Sequence, residues 1–118
     1  MTRDDAIRAH REWKTRFLVA MAKNERMNVA EISADNCCKF GKWLHAEAKN
    51  RLGQIRGYQE CVEAHAAFHF EAGKIAQCVN DGRIEEANQM LGYDTPYAKA
   101  SEELSVRVFA MFKEAEQD

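Results

Sequence analysis

Two histidines four residues apart, His65 and His69, are the side chains of this sequence best placed to do chemistry. They lie in the segment CVEAHAAFHFEAGKIAQ, which has the apolar periodicity of an amphipathic helix. Because four residues are slightly more than one helical turn, both imidazoles leave the same face, with Cβ atoms about 5–6 Å apart. Two ring nitrogens placed this way can bind one metal ion, but a tetrahedral site needs further ligands.

The search for those ligands is short, because the chain has four histidines and four cysteines. His10 is predicted to lie on an earlier helix, and Cys37 and Cys38 on the next one. Cys38 is the favoured thiol because Gly41 follows it on the same helical face, where a missing side chain lets a neighbouring helix approach the sulfur. Cys37 is rotated about 100° from that face and is kept as an alternative ligand or resolving thiol. The favoured donors form a Cys-His₃ set that suits Zn²⁺: His10, Cys38, His65 and His69.

Amphipathic helices must position these donors, and no segment alternates with the period of a strand. Long helices are predicted over about residues 2–23, 37–52, 58–80 and from 96 onward, with short helical segments within 27–34 and 83–91. Asp35 or Asn36 is the expected N-cap of the second long helix, and Thr95-Pro96 is expected to start the last one. Gly53 and Gly57 are expected to bracket the turn before the third. The fold class is therefore all-α, an antiparallel four-helix bundle with one extra short helix, in a single domain over 1–118.

Composition excludes several classes of function. The chain has 17 Lys and Arg and 19 Asp and Glu, a net charge of −2, and no basic stripe, so nucleic acid is not an expected partner. The longest apolar run, residues 17–22, is far short of the roughly 20 residues that span a bilayer, so no membrane insertion is expected. Without an apparent signal peptide, we expect a cytoplasmic protein whose cysteines are thiols or metal ligands.

The same residues carry a family resemblance. The pattern resembles that of bacterial chemoreceptor zinc-binding (CZB) domains: His10-x-x-Trp13, Cys38-x-Phe40-Gly41-x-Trp43 and His65-x-x-x-His69. The gaps of 24 residues between Trp13 and Cys38 and of 21 residues between Trp43 and His65 also look like those of the family. The resemblance implies a helical bundle that holds one Zn²⁺ through three histidines and one cysteine. It further implies a homodimer that works beside a chemoreceptor or a diguanylate cyclase domain, in the same or another chain, and responds to zinc or to oxidation of the cysteine.

Four protein ligands fill the coordination sphere of zinc, so an enzyme is not expected. The segment HAAFH also lacks the glutamate that HExxH hydrolases use as a base. We hypothesise that loss of the Cys38–zinc bond loosens the second helix. Two alternatives stay open. The first is a hemerythrin-like iron or haem carrier, which is disfavoured because Glu63 and Glu71 do not lie on the helix face of His65 and His69. The second is an interaction module in which zinc only stabilises the fold.

Other notable side chains are expected to serve packing. Trp13, Phe40 and Trp43 are predicted to pack in the core, where they could also form an apolar shell around the metal. His45 is about 10.5 Å along the helix from Cys38, too far to share one zinc ion, and is interpreted as structural. Cys61 and Cys78 are expected in the core or at an interface.

Overall fold

The computed structural model describes residues 1–116, and all of its regular secondary structure is helical, as predicted. Lys39–Trp43, Leu44–Ala48 and Lys49–Leu52 follow one another without a break, and Leu44–Ala48 is a π-helical segment. None of the helices in the described part combines the length and apolarity that a bilayer crossing requires. The helices are α1 (Arg3–Lys23), α2 (Val29–Ser33), α3 (Lys39–Trp43), the π segment, α4 (Lys49–Leu52), α5 (Arg56–Asn80), α6 (Ile84–Met90) and α7 (Pro96–Glu116).

The first and last helices start as the sequence predicts. Thr2 caps α1, its hydroxyl oxygen accepting a hydrogen bond from the Asp5 amide at 3.1 Å. Thr95 does the same for α7 through the amide of Ala98, also at 3.1 Å, and Pro96 is the first helical residue. Each cap satisfies an amide that the helix itself leaves without a partner, and thereby sets where the helix begins.

The second helix starts later than predicted. Its N-cap is Cys38 rather than Asp35 or Asn36, and the Cys38 sulfur accepts a hydrogen bond from the Gly41 amide at 3.2 Å. The Asp35 carboxylate instead contacts the His45 ring at 3.1 Å, so it is not available as a cap. As a result Cys38 lies at the N-terminus of the helix, where its sulfur faces the first backbone amides.

Helix α5 begins at Arg56, about two residues before the predicted start, so Gly57 lies in its first turn and does not mark the end of the preceding turn. A side chain there would meet the Met111 backbone of α7 at 3.2 Å, so the glycine allows the two helices to approach. Its amide also donates to the Glu114 carboxylate at 2.8 Å. These contacts join the start of α5 to the end of α7 and make the two helices antiparallel.

The central helix is α5, which packs on α7, α2 and α1. Arg3, at the start of α1, lies over the Phe109 ring near the end of α7 at 4.8 Å, so α1 also runs opposite to α7. The partners of α5 change along its length. Its second half packs on α2. Its first half contacts the helical run 39–52, where Tyr58 donates to the Leu44 carbonyl at 2.9 Å and Phe40 lies against His65.

The short helix α2 is fixed to α5 by two contacts. Asn80 holds the backbone of Met27, accepting from its amide and donating to its carbonyl, both at 2.8 Å. Gly73 leaves room for Ser33, whose Cα would lie 3.2 Å from an added side chain. The predicted helical segment within 27–34 is therefore present, and its contacts with α5 fix the positions of its backbone carbonyls.

Candidate metal centre

Four side chains from three elements converge where α1, α5 and the start of α3 meet. His10 comes from α1, Cys38 is the N-cap of α3, and His65 and His69 lie on α5. Their ligand atoms all lie within 4.8 Å of one another. The Cys38 sulfur is 3.4 Å from His65 Nε2 and 3.5 Å from His69 Nε2. Tetrahedral zinc holds its nitrogen and sulfur ligands about 3.3–3.6 Å apart, so a small contraction of the cluster would complete such a site.

Backbone carbonyls orient two of the histidine rings. His10 Nδ1 donates to the Ala6 carbonyl at 2.7 Å, and His69 Nδ1 donates to the Ile32 carbonyl of α2 at 2.9 Å. Since a carbonyl only accepts, each Nδ1 carries the proton and each Nε2 keeps a free lone pair. This is the arrangement by which proteins hold metal-binding histidines in one tautomer and one orientation.

Two buried ring nitrogens of the cluster, His10 Nε2 and His65 Nδ1, have no hydrogen-bond partner within residues 1–116. A buried polar atom left without a partner costs about 1–3 kcal/mol, and such atoms are rare in folded proteins. A metal ion in the cluster would take the lone pair of His10 Nε2, and it would bind His65 through Nε2, the nitrogen that lies 3.4 Å from the Cys38 sulfur. The donor set and the unpartnered His10 Nε2 therefore fit Zn²⁺.

The electrostatics of the cluster favour neutral imidazoles. Burial lowers the pKa of His10 to about 4 and that of His65 to about 2, and it lowers the pKa of His69 as well. Burial also raises the pKa of the Cys38 thiol, against the opposing effect of the Gly41 amide. At neutral pH the three rings offer lone pairs, and a metal that binds here displaces the thiol proton.

Comparison with known proteins agrees with this geometry. The family model of the chemoreceptor zinc-binding domain (CZB) matches residues 10–76, a span that begins at His10 and includes all four donors. The chain belongs to the CZB family. No curated protein and no solved structure gives a significant match. The family is a zinc-binding one, and the cluster in this chain is suited to a metal ion.

An aromatic shell surrounds the cluster of this CZB domain. Phe40 lies edge-on to His10 and His65, with ring centroids 5.2 and 5.1 Å away, and Phe68 lies 5.3 Å from His10. Trp13 lies edge-on to His69 at 6.2 Å. Trp43 instead stacks on Phe112 of α7 at 5.7 Å. Trp13 and Phe40 thus surround the cluster as predicted, and Phe68 does so without having been predicted.

The remaining singled-out residues lie outside the cluster. His45 contacts the Asp35 carboxylate at 3.1 Å, which agrees with the predicted structural role. Cys61 and Cys78 are buried free thiols. Cys37 is half-buried beside Cys38. Sequence reasoning missed the carbonyls of Ala6 and Ile32, because every residue has a carbonyl and no residue type marks the ones that orient a ligand.

The depressed histidine pKa values predict that the metal-free CZB domain loses stability in acid. The folded rings stay neutral down to pH values where the unfolded rings, with pKa near 6.5, are protonated. The unfolded state therefore binds more protons, and each such ring should lower the unfolding free energy by about 1.4 kcal/mol per pH unit below 6.5, until the pH reaches its folded pKa. Urea unfolding of metal-free protein at pH 7.5 and 5.5 tests this. His45→Gln should keep the loss, and equal stability at both pH values would contradict it.

Proposed function

We propose that residues 1–118 form one CZB domain, an antiparallel four-helix bundle, that binds Zn²⁺ through His10, Cys38, His65 and His69. In this proposal the bound zinc, or the redox state of Cys38, sets the output of an associated signalling domain such as a chemoreceptor or a diguanylate cyclase. One observation carries the proposal: the ligand atoms of these four residues, which come from three separate elements, lie within 4.8 Å of one another. The three imidazoles are neutral, and a metal ion can displace the proton of the thiol.

The position of Cys38 supports a regulatory role for the metal. The three histidines are at most 4% exposed, whereas Cys38 is half-buried, so an oxidant reaches the sulfur before the rings. A sulfenic acid is a poorer zinc ligand than a thiolate. Because Cys38 is also the N-cap of α3, losing its bond to zinc would free the start of the helical run 39–52 while α1 and α5 still hold the metal through imidazoles.

The donor set also supports a binding role over catalysis. Three imidazoles and a thiolate fill the four positions of tetrahedral zinc, so no position is left for an activated water. A di-iron centre would use bridging carboxylates, and none of the four clustered side chains is one. Glu63 is exposed, and Glu71 forms a salt bridge with Lys74 at 3.4 Å.

The proposed setting is the cytoplasm, and the proposed assembly is a homodimer beside its signalling domain. CZB domains associate with chemoreceptor or other signalling domains, which provides the class of partner. Val106 and Phe109 of α7 are 53% and 46% exposed, and large apolar side chains of this kind are suited to a contact with another chain.

Elemental analysis of protein purified without added metal tests the proposed site. We expect one zinc ion per chain and a colourless protein, because zinc has a filled d shell. The His10→Ala variant should retain less zinc than the wild type after the same purification. Iron in place of zinc, with a visible absorption band, would instead indicate a carrier related to hemerythrin, and absence of any metal would refute the zinc site.

A further inference from the structure

A groove on the surface leads to the candidate metal centre. It lies between α1, α2 and the turn before α3, and it has a volume of about 270 Å³. Cys38 and His69 lie on it, so two of the four donors face this opening. Cys37, Glu31 and Arg16 line the same groove, and Glu31 and Arg16 are exposed.

The groove gives access to the cluster at Cys38 and His69. His10, His65 and His69 are 4%, 0% and 1% exposed, and aromatic rings pack against them. The buried His10 Nε2 lacks a hydrogen-bond partner among the described residues, so its lone pair is free for a metal ion. A hydrated ion approaching along the groove meets Cys37 and Glu31 on its way to Cys38 and His69.

We propose that Cys37 is a transient zinc ligand, which takes the ion from solution in this groove and passes it to Cys38 and His69. The inference rests on the proposed function, since it requires the four-ligand site as the destination. Cys37 binds zinc as a thiolate and releases its proton to water. When Cys38 and the imidazoles replace it, Cys37 takes up a proton again while the Cys38 proton leaves, so the completed site holds one thiolate.

The groove is suited to transient binding of the ion and does not offer enough ligands to hold it. Cys37 and Glu31 offer one sulfur and one carboxylate, fewer than the four ligands that a closed zinc site needs. Arg16, whose guanidinium lies 4.6 Å from the centre of the Trp13 ring, adds a positive charge that opposes a cation resting there. Cys37 is covalently adjacent to Cys38 and lines the same groove, so the ion would pass between neighbouring residues.

A transient ligand has a kinetic signature that a resident ligand lacks. By lowering the barrier between free and bound metal, it speeds loading and release by the same factor and leaves the equilibrium affinity unchanged. A resident ligand changes the affinity, and a spectator changes neither quantity. The comparison of rates with affinity therefore isolates the role of Cys37.

The test uses Co²⁺ alone as the probe, since tetrahedral cobalt absorbs visible light whereas zinc does not. Metal-free wild type, Cys37→Ser and the matched thiol control Cys78→Ser are mixed with Co²⁺ in a stopped-flow instrument, and release is followed after dilution into excess chelator. We expect both rates to fall about tenfold in Cys37→Ser, corresponding to a barrier raised by about 1.4 kcal/mol. The dissociation constant should be unchanged, and Cys78→Ser should resemble the wild type.

Two results would overturn the proposal. Unchanged rates in Cys37→Ser would make Cys37 a spectator, and a weakened dissociation constant would make it a resident ligand. Circular dichroism of each variant checks that the helical fold is intact. If the wild type fails to bind Co²⁺ or Zn²⁺ with the tetrahedral spectrum, the proposed function itself fails, which is a different outcome from a wild-type site that fills without help from Cys37.

Discussion

Replacing Cys38 with serine should lower the zinc affinity at least about 100-fold, equivalent to roughly 3 kcal/mol, without weakening the metal-free fold. The two effects separate because Cys38 has two roles. Toward a metal it supplies the only thiolate of the cluster, and a neutral serine hydroxyl is a poor substitute. Toward α3 it is the N-cap, accepting from the Gly41 amide at 3.2 Å, and serine is among the best residues for that position.

The matched variant is Cys38→Ala, which loses both roles. It should bind zinc as weakly as Cys38→Ser, and its metal-free form should also be less stable by about 1 kcal/mol, because the first amides of α3 lose their cap. Competition with a chromogenic chelator measures the affinity, and urea unfolding of the metal-free proteins measures the fold. Peroxide should weaken the zinc affinity of the wild type only, because the three imidazoles remain as ligands after the thiolate is oxidised. If Cys38→Ser kept both the wild-type affinity and its weakening by peroxide, Cys38 would not be the regulatory ligand.

Three of the four residues of the candidate centre, His10, His65 and His69, could be predicted because their positions follow from helical periodicity. Cys38 caps α3 instead of lying within it, so its place in the cluster does not follow from that periodicity. The spacing of His65 and His69 places both on one face of any regular helix, and α5 is regular along its whole length. His10 lies on a helix whose start and end are marked by Thr2 and by the polar residues after Lys23. Where local signals such as these agree with the tertiary fold, the sequence is sufficient.

The start of α3 could not be predicted, because several residues compete for the same role. Asp35, Asn36 and Cys38 can each cap a helix, and the choice depends on contacts that are distant in the chain. In the fold, the Asp35 carboxylate pairs with His45, leaving Cys38 as the cap. The π-helical segment begins at Leu44, whose carbonyl accepts a hydrogen bond from Tyr58, a residue 14 positions away on α5. Propensity carries no information about either partner.

For Gly41, the role predicted from the sequence is correct but incomplete. The sequence predicts that its missing side chain lets a neighbouring helix approach the sulfur of Cys38. In the fold, two groups occupy that space: the His65 ring of α5, with Cε1 3.1 Å from an added Cβ, and the backbone of Asp35, with its carbonyl carbon at 3.0 Å. The glycine therefore keeps open the position of a ligand ring and the course of the turn that holds the thiol.

Gly41→Ala should consequently destabilise the protein, although the same change in an open helix would stabilise it by about 1 kcal/mol. The new methyl group would collide with the Asp35 carbonyl, and neither that backbone nor the packed His65 ring can move away freely. We expect a loss of about 1–3 kcal/mol in unfolding free energy, typical of an overpacked core. Zinc affinity should also fall, by about tenfold or more, because His65 is a proposed ligand and the Asp35 backbone belongs to the turn that leads to Cys38.

The control for Gly41→Ala is Gly82→Ala. Gly82 has φ +78° at the end of α5 and open space where a side chain would lie, so alanine there strains the backbone without touching the metal centre. It should cost a comparable free energy of unfolding and leave zinc affinity at the wild-type value. Urea unfolding and chelator competition on both variants separate general instability from damage to the site. Equal zinc affinities in the two variants would show that Gly41 serves the stability of the fold alone.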